Sequence, residues 1–139
     1  MKQIMFIIPL TPVTKKNHQQ IRWRWGKDKK TGQAEKKPYV AQSDSYLQYE
    51  EEAGWFIKGR LRDLKISSPV NIKCVYYMPT KRRVDLPNLL NATDDVLVKY
   101  GVIADDNSDI VVSHDGSRVI KGDAKPRTEI TITFYKSLP

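Results

Sequence analysis

The segment from Asp85 to Gly101 constrains the fold most strongly, because it has the pattern of an amphipathic helix that needs an apolar surface beneath it. Asp85 is the predicted N-cap, Pro87 is tolerated in the first turn, and Gly101 supplies the stop after about Tyr100. At about 100° per residue, the apolar side chains gather on one side of this helix. They are Leu86, Leu89, Leu90, Thr93, Val96, Leu97 and Tyr100.

The rest of the chain supplies the strands on which such a helix can pack. A first helix is predicted over 43–61, where bulky apolar residues recur at helical spacing. The element order β-α-β-α-β-β predicts an α+β fold in which two helices pack on a mixed four-stranded sheet. The length of 139 residues predicts one domain, 1–139. The predicted strands are 2–10, 68–79, 108–123 and 126–136.

A long basic connection separates the first strand from the first helix. Its segments 20–25 and 37–42 could pair as a hairpin around the flexible tip "GKDKKTG". In an extended strand, Trp23 and Trp25 share one face, and Arg22 and Arg24 share the other. Two interpretations stay open: the tryptophans cover the core, or the segment is a DNA arm that stacks on exposed bases.

The charge of the chain favours a polyanionic partner. The net charge is +8, and residues 15–37 hold nine Lys or Arg against Asp28 and Glu35. Such an excess is typical of a protein that contacts a phosphate backbone, and Lys15, Lys16 and Asn17 are plausible contacts. A membrane partner is not expected, because the chain has no 18-residue apolar run and no amphipathic basic helix.

Several other classes of site are not expected. The single cysteine, Cys74, excludes an internal disulfide, is expected in the core, and fits a reducing cytoplasm. His18 and His114 are isolated in sequence and are predicted to lie at the surface or in loops. The sequence has no phosphate-binding loop, nucleophile elbow or dinucleotide fingerprint, so no small-molecule cofactor is expected.

Aspartates cluster on and after the second helix. Asp85 begins it, Asp95 lies on its polar side, and Asp105 and Asp106 follow the apolar turn 101–104. If the chain returns along the helix, these carboxylates converge, and each like-charged pair at 4 Å costs about 4 kcal/mol at an effective dielectric near 20. A divalent cation would remove that cost, and oxygen ligands favour Mg²⁺, Mn²⁺ or Ca²⁺ over Zn²⁺. Taken singly, Asp85 could be only a cap and Asp95 only a solvated acid.

The stretch "RRVDLPNLLNATDDVLVKYGVIADDN" resembles the central motif of the RusA-type Holliday junction resolvases. That motif has basic residues, D-x-D-N-L, a helix with D-x-L, an apolar turn and D-D. "PLTPVTKKNHQQI" and "YVAQSDSYLQYE" are similar to the family's opening in its Gram-positive phage and prophage version. The resemblance implies a homodimeric endodeoxyribonuclease that binds four-way DNA junctions, makes paired symmetric nicks, and uses Mg²⁺, with Mn²⁺ as a substitute.

The resemblance also implies roles for individual residues. Asp85 and Asp106, with the adjacent Asp105, match the family's metal-binding aspartates. Pro87 stands where the family has a second Asp, and Asn91 where it has a Lys. A variant site would use groups on the polar side of the second helix, and these are Asn88 and Asp95.

The basic residues that precede the helix complete the predicted site. Lys81, Arg82 and Arg83 would contact phosphate and stabilise negative charge at phosphorus. An alternative is a non-catalytic junction- or DNA-binding protein whose site has degenerated at Pro87 and Asn91. A third interpretation is an RNA-binding or protein-interaction module.

Overall fold

The computed structural model describes residues 2–14, 19–42 and 44–135, with the backbone alone at 19–22 and 39–42. The α+β class predicted from the sequence is confirmed. In chain order, the elements are β1 (Gln3–Ile8), β2 (Gln19–Lys27), β3 (Ala34–Gln42), α1 (Asp44–Phe56), α2 (Arg60–Asp63), β4 (Val70–Tyr77), α3 (Leu86–Lys99), β5 (Val111–Ser113), β6 (Arg118–Ile120) and β7 (Arg127–Phe134).

The main sheet is mixed. Its order is β1-β7-β4-β5, and β6 also pairs with β4. β7 is antiparallel to both β1 and β4, whereas β5 and β6 are parallel to β4. Since parallel neighbours need a crossover connection, α3 must pass over the sheet between β4 and β5. This crossover places α3, the second helix predicted from the sequence, over the sheet.

Within the described residues, the main sheet has five strands where four were predicted. The segment 108–123 forms two short strands, because the chain turns at 114–117. Gly116 adopts a φ of 88°, which favours glycine. Asn71 on β4 holds the turn, since its Oδ1 accepts hydrogen bonds from Ser113 Oγ at 2.5 Å and from the Asp115 N–H at 2.7 Å.

Helices α1 and α3 pack on one face of the sheet. Leu89, Val96 and Leu97 of α3 are fully buried against this face, as the apolar pattern predicted. Cys74 of β4 is also buried in this core, which confirms its predicted place. Tyr100, which follows α3, donates a hydrogen bond to a carbonyl oxygen of α1 at 2.8 Å and so joins the two helices.

The opposite face of the sheet is open in the described chain. Met5 is 73% exposed and Ile7 is 49% exposed, and both alternate with residues that face the helices. Lys73, Glu129 and other residues of β4 and β7 complete a shallow cavity of about 510 Å³ beside them.

β2 and β3 form a separate antiparallel hairpin, with Gln19 opposite Gln42 and Lys27 opposite Ala34. The predicted hairpin is therefore confirmed, and its strands are longer than the sequence indicated. None of the helices in the described chain is long and apolar enough to cross a membrane.

Candidate nuclease site

Asp85 lies exposed at the start of α3 and has an extended backbone, as expected for an N-cap. Its side chain, however, makes no capping hydrogen bond to the backbone of the described helix. Instead, Asp85 Oδ2 accepts a hydrogen bond from Asn88 Nδ2 at 3.3 Å. Capping therefore does not account for this carboxylate, and Asn88 orients it at the surface.

Asp105 and Asp106 lie in the loop that follows α3. This loop is anchored by a parallel bridge between Ile103 and Ile66, and by the Ala104 N–H, which donates to the Ile66 carbonyl oxygen at 2.8 Å. The Asp106 N–H donates to Asp105 Oδ1 at 2.8 Å, and this bond contributes most to a lowered pKa of Asp105. Asp105 is thus held as an ionised acceptor.

The pKa of Asp106 is shifted the other way, above its usual value. Partial desolvation is the largest cause, followed by a hydrogen bond with Asp105 and by the negative charge of Asp95 on α3. Asp106 therefore couples the loop to the helix electrostatically. Repulsion from two neighbouring carboxylates disfavours the ionised form of a third. Such a carboxylate therefore tends to bind either a proton or a cation.

Asp95 is half-buried on α3, and Asn91, one turn before it, is exposed. Ten residues, or about 15 Å of helical rise, separate Asp95 from Asp85. Among the described residues, no three His, Cys, Asp or Glu side chains are grouped so that they could hold a metal ion. The joint use of Asp85, Asp105 and Asp106 as ligands therefore stays a prediction.

A basic cleft adjoins the start of α3. It has a volume of about 350 Å³ and is lined by the connection 11–14, by Thr80, and by Arg82 and Arg83. Lys81, Arg82 and Arg83 are all exposed. The cleft is therefore lined by two exposed arginines that precede Asp85 in the chain by two and three residues.

The other predicted DNA contacts fall outside this cleft or outside the described chain. Lys15, Lys16 and Asn17, like His18, lie outside the described residues, immediately after Thr14, which lines the cleft. Arg22 lies within β2, where its backbone is opposite Tyr39, and Arg24 is exposed on the same strand.

Asp94 and His114 form a pair that the sequence did not indicate. His114 lies in the loop between β5 and β6 and is partly exposed, as predicted for a surface or loop histidine, but it is not isolated in the fold. Its Nε2 lies 2.9 Å from Asp94 Oδ2, and the Asp94 side chain is only 7% exposed. The hydrogen bond with Asp94 raises the pKa of His114. The two residues are 20 positions apart, and only the crossover of α3 brings them together.

Comparison with known proteins shows the family of this chain. Residues 9–133 match the family model described as endodeoxyribonuclease RusA. A crossover junction endodeoxyribonuclease of Enterobacteria phage 82 is 36% identical over 85 residues, which cover 61% of this chain and 68% of that protein. Proteins of the same name from Escherichia coli strain K12 and from Shigella sonnei are each 35% identical over 85 residues, with the same coverage.

Proposed function

The chain belongs to the RusA family of endodeoxyribonucleases, and on this premise we propose that it resolves four-way DNA junctions by hydrolysing phosphodiester bonds. The observation that carries the proposal is the family match over residues 9–133, in a fold with a basic cleft at the start of α3 and an acidic loop after it. The raised pKa of Asp106, to which Asp105 and Asp95 contribute, supports a cation site in that loop. The negative charges of Asp105 and Asp95 beside Asp106 favour a cation there.

The donor set fits Mg²⁺. This ion is commonly held by one or two carboxylates, with water and substrate phosphate at the remaining positions. Asp106 and Asp105 would hold it, and either Asp95 or Asp85 would supply a further oxygen. Bound there, Mg²⁺ would supply an activated water and neutralise charge at phosphorus, and Mn²⁺ would substitute for it.

The chain's own residues bind and orient the DNA. Arg82 and Arg83 would each present a planar pair of donors to phosphate oxygens along the cleft. Asn88 orients the Asp85 carboxylate through a hydrogen bond at 3.3 Å. Lys81 and the basic residues after Thr14 would extend the contact along the backbone, so that affinity depends strongly on salt.

A homodimer would match the two-fold symmetry of a junction and its paired nicks. The open face of the sheet is a suitable interface, because Met5 and Ile7 are exposed side by side on it. Replacing both with glutamate should convert the dimer to a monomer in sedimentation, while circular dichroism stays unchanged. A variant that remains dimeric would remove this face from the interface.

The decisive test is cleavage of a labelled four-way junction with and without Mg²⁺. Asp106→Asn should abolish nicking, and Asp85→Asn or Asp95→Asn, whichever removes the further oxygen ligand, should reduce it at least tenfold. Asp109→Asn is the matched control: it lies in the same loop and is exposed, and its backbone N–H, rather than its carboxylate, makes the local hydrogen bond to Asn107. Equal activity of the Asp106 variant and the control would refute the site.

The second candidate is a non-catalytic junction-binding protein. It is favoured by the replacement of two family positions, since Pro87 has no ionisable group and Asn91 carries no charge. It predicts metal-independent junction binding with no nicking by the wild-type protein. In both cases, Arg82→Ala with Arg83→Ala should reduce the salt dependence of binding by about two phosphate contacts, whereas the exposed Arg60→Ala should leave it unchanged.

A further inference from the structure

The β2-β3 hairpin presents two tryptophans to solvent. Trp23 is 59% exposed and Trp25 is 68% exposed. Both lie on the same face of β2, with Pro38 opposite the first and Lys36 opposite the second. The Lys36 ammonium lies 5.2 Å from the centroid of the Trp25 ring, which is within the range of a cation–π contact. This face thus combines flat aromatic surface with positive charge.

The core does not explain these tryptophans. The described hydrophobic core contains no residue of the hairpin, and neither strand packs extensively on another helix or strand of the described chain. A two-stranded hairpin is marginally stable alone, so large apolar side chains on it would normally be turned inward. The interpretation in which the tryptophans cover the core is therefore wrong. Their exposure points to a partner.

The charge of the hairpin indicates what that partner is. Residues 19–42 hold seven Lys or Arg and two acids. Both acids have local partners: Asp28 accepts hydrogen bonds from the Lys30 N–H and the Thr31 hydroxyl in the turn, and Glu35 pairs with Lys37 at 3.4 Å. The net positive charge of the hairpin favours a polyanion, and its exposed indole rings favour one that also offers flat aromatic surfaces.

We propose that the tryptophan face of the hairpin stacks on unpaired bases of DNA at the branch point. This proposal rests on the proposed function, and it identifies the unpaired bases as the part of the substrate that the hairpin contacts. Indole rings stack on any base, and neighbouring cations bind the phosphates, so recognition is by exposed bases and not by sequence. In the sequence, β2 begins five residues after Thr14, which lines the cleft that holds Arg82 and Arg83.

The test compares DNA ligands in the presence of EDTA, so that catalysis does not enter. Fluorescence anisotropy would measure binding to oligo(dT), to a four-way junction and to a blunt duplex. Trp23→Ala with Trp25→Ala should weaken oligo(dT) binding about tenfold or more, and should weaken duplex binding less than threefold. Because no cation is removed, the salt slope should not change. Trp55→Ala, the matched control, removes a tryptophan that is 57% exposed on α1 and should leave all three affinities unchanged.

A second readout keeps the test independent of folding. The chain has three tryptophans, so Trp55→Phe leaves Trp23 and Trp25 as the emitters, and their fluorescence should fall on addition of oligo(dT). Trp23→Tyr with Trp25→Tyr should restore much of the lost affinity, because tyrosine also stacks.

Four outcomes would overturn the proposal: equal losses on duplex and oligo(dT), no emission change, a loss of self-association in place of DNA affinity, or a loss of binding to anionic vesicles alone. Absence of nicking by a wild-type protein that binds DNA through these tryptophans would refute the nuclease and leave the stacking face intact.

Discussion

Removing the His114 side chain should destabilise the protein strongly, because it leaves the Asp94 carboxylate charged and buried. Asp94 Oδ2 is held by His114 at 2.9 Å, and among the described residues Asp94 Oδ1 is buried without a hydrogen-bond partner. Breaking a buried ion pair by removing one member costs about 3–5 kcal/mol. Since the His114 side chain is 28% exposed, water can partly replace it, so we expect about 3 kcal/mol for His114→Ala.

A thermal melt and a double-mutant cycle would check this value. For a chain of 139 residues, 3 kcal/mol corresponds to a fall in Tm of about 10 °C. Asp94→Asn removes the charge and keeps the shape, so it should cost only about 1 kcal/mol. The double variant should then be more stable than the sum of the two single losses implies, by 1 kcal/mol or more. Strict additivity, or a His114→Ala loss below about 1 kcal/mol, would refute the argument.

The same pair makes stability depend on pH. The hydrogen bond with Asp94 raises the pKa of His114 above 6.5, so the folded state keeps the proton longer than the unfolded state does. The stabilisation is therefore complete below pH 6.5 and is lost as the pH rises through the higher pKa of the folded protein. The stability advantage of wild type over Asp94→Asn, measured by urea unfolding, should be larger at pH 6 than at pH 9. An advantage that grows with pH would contradict the assignment.

Three further predictions concern buried groups. Gly54→Ala, which in an exposed helix interior would stabilise by up to about 1 kcal/mol, should here destabilise by about 1–3 kcal/mol in urea unfolding, because the new Cβ would collide with the Tyr100 ring. The Cys74 thiol is fully buried, and desolvation raises its pKa to about 12. It should therefore react with an aromatic disulfide reagent only as fast as the protein unfolds. Rapid labelling at pH 8 would instead show that β4 opens. Burial raises the pKa of Tyr49 to about 12, so stability should fall as the pH rises from 10 to 12, and Tyr49→Phe should reduce that fall.

Local sequence patterns were sufficient to predict α3, because its two ends and its apolar side are encoded within 17 residues. Asp85 and Gly101 stand at its ends as predicted, and Leu89, Val96 and Leu97 are buried. The hairpin was also local, since its two strands are joined by a short turn. Periodicity could not show that 108–123 divides into two strands, because that division depends on Asn71, some 40 residues earlier in the chain.

For the predicted site, too, some features could be inferred from the sequence and others depend on the fold. The sequence could indicate that Asp105 and Asp106 are adjacent and acidic, but their opposite pKa shifts depend on backbone hydrogen bonding in the loop and on Asp95. The pairing of Asp94 with His114 could not be inferred either. An aspartate in an acidic helix normally faces water, and α3 turns this one inward.

The burial of Asp94 bears directly on the proposed chemistry. Consecutive residues of a helix point about 100° apart, so fixing the Asp94 side chain against His114 also fixes the direction of Asp95. The bridge between Ile103 and Ile66 fixes the loop that holds Asp106. The carboxylates proposed to bind the cation are thus held by two anchors that touch neither metal nor DNA. Loss of the Asp94–His114 pair should therefore weaken cation binding and stability together, whereas loss of Asp106 should weaken cation binding alone.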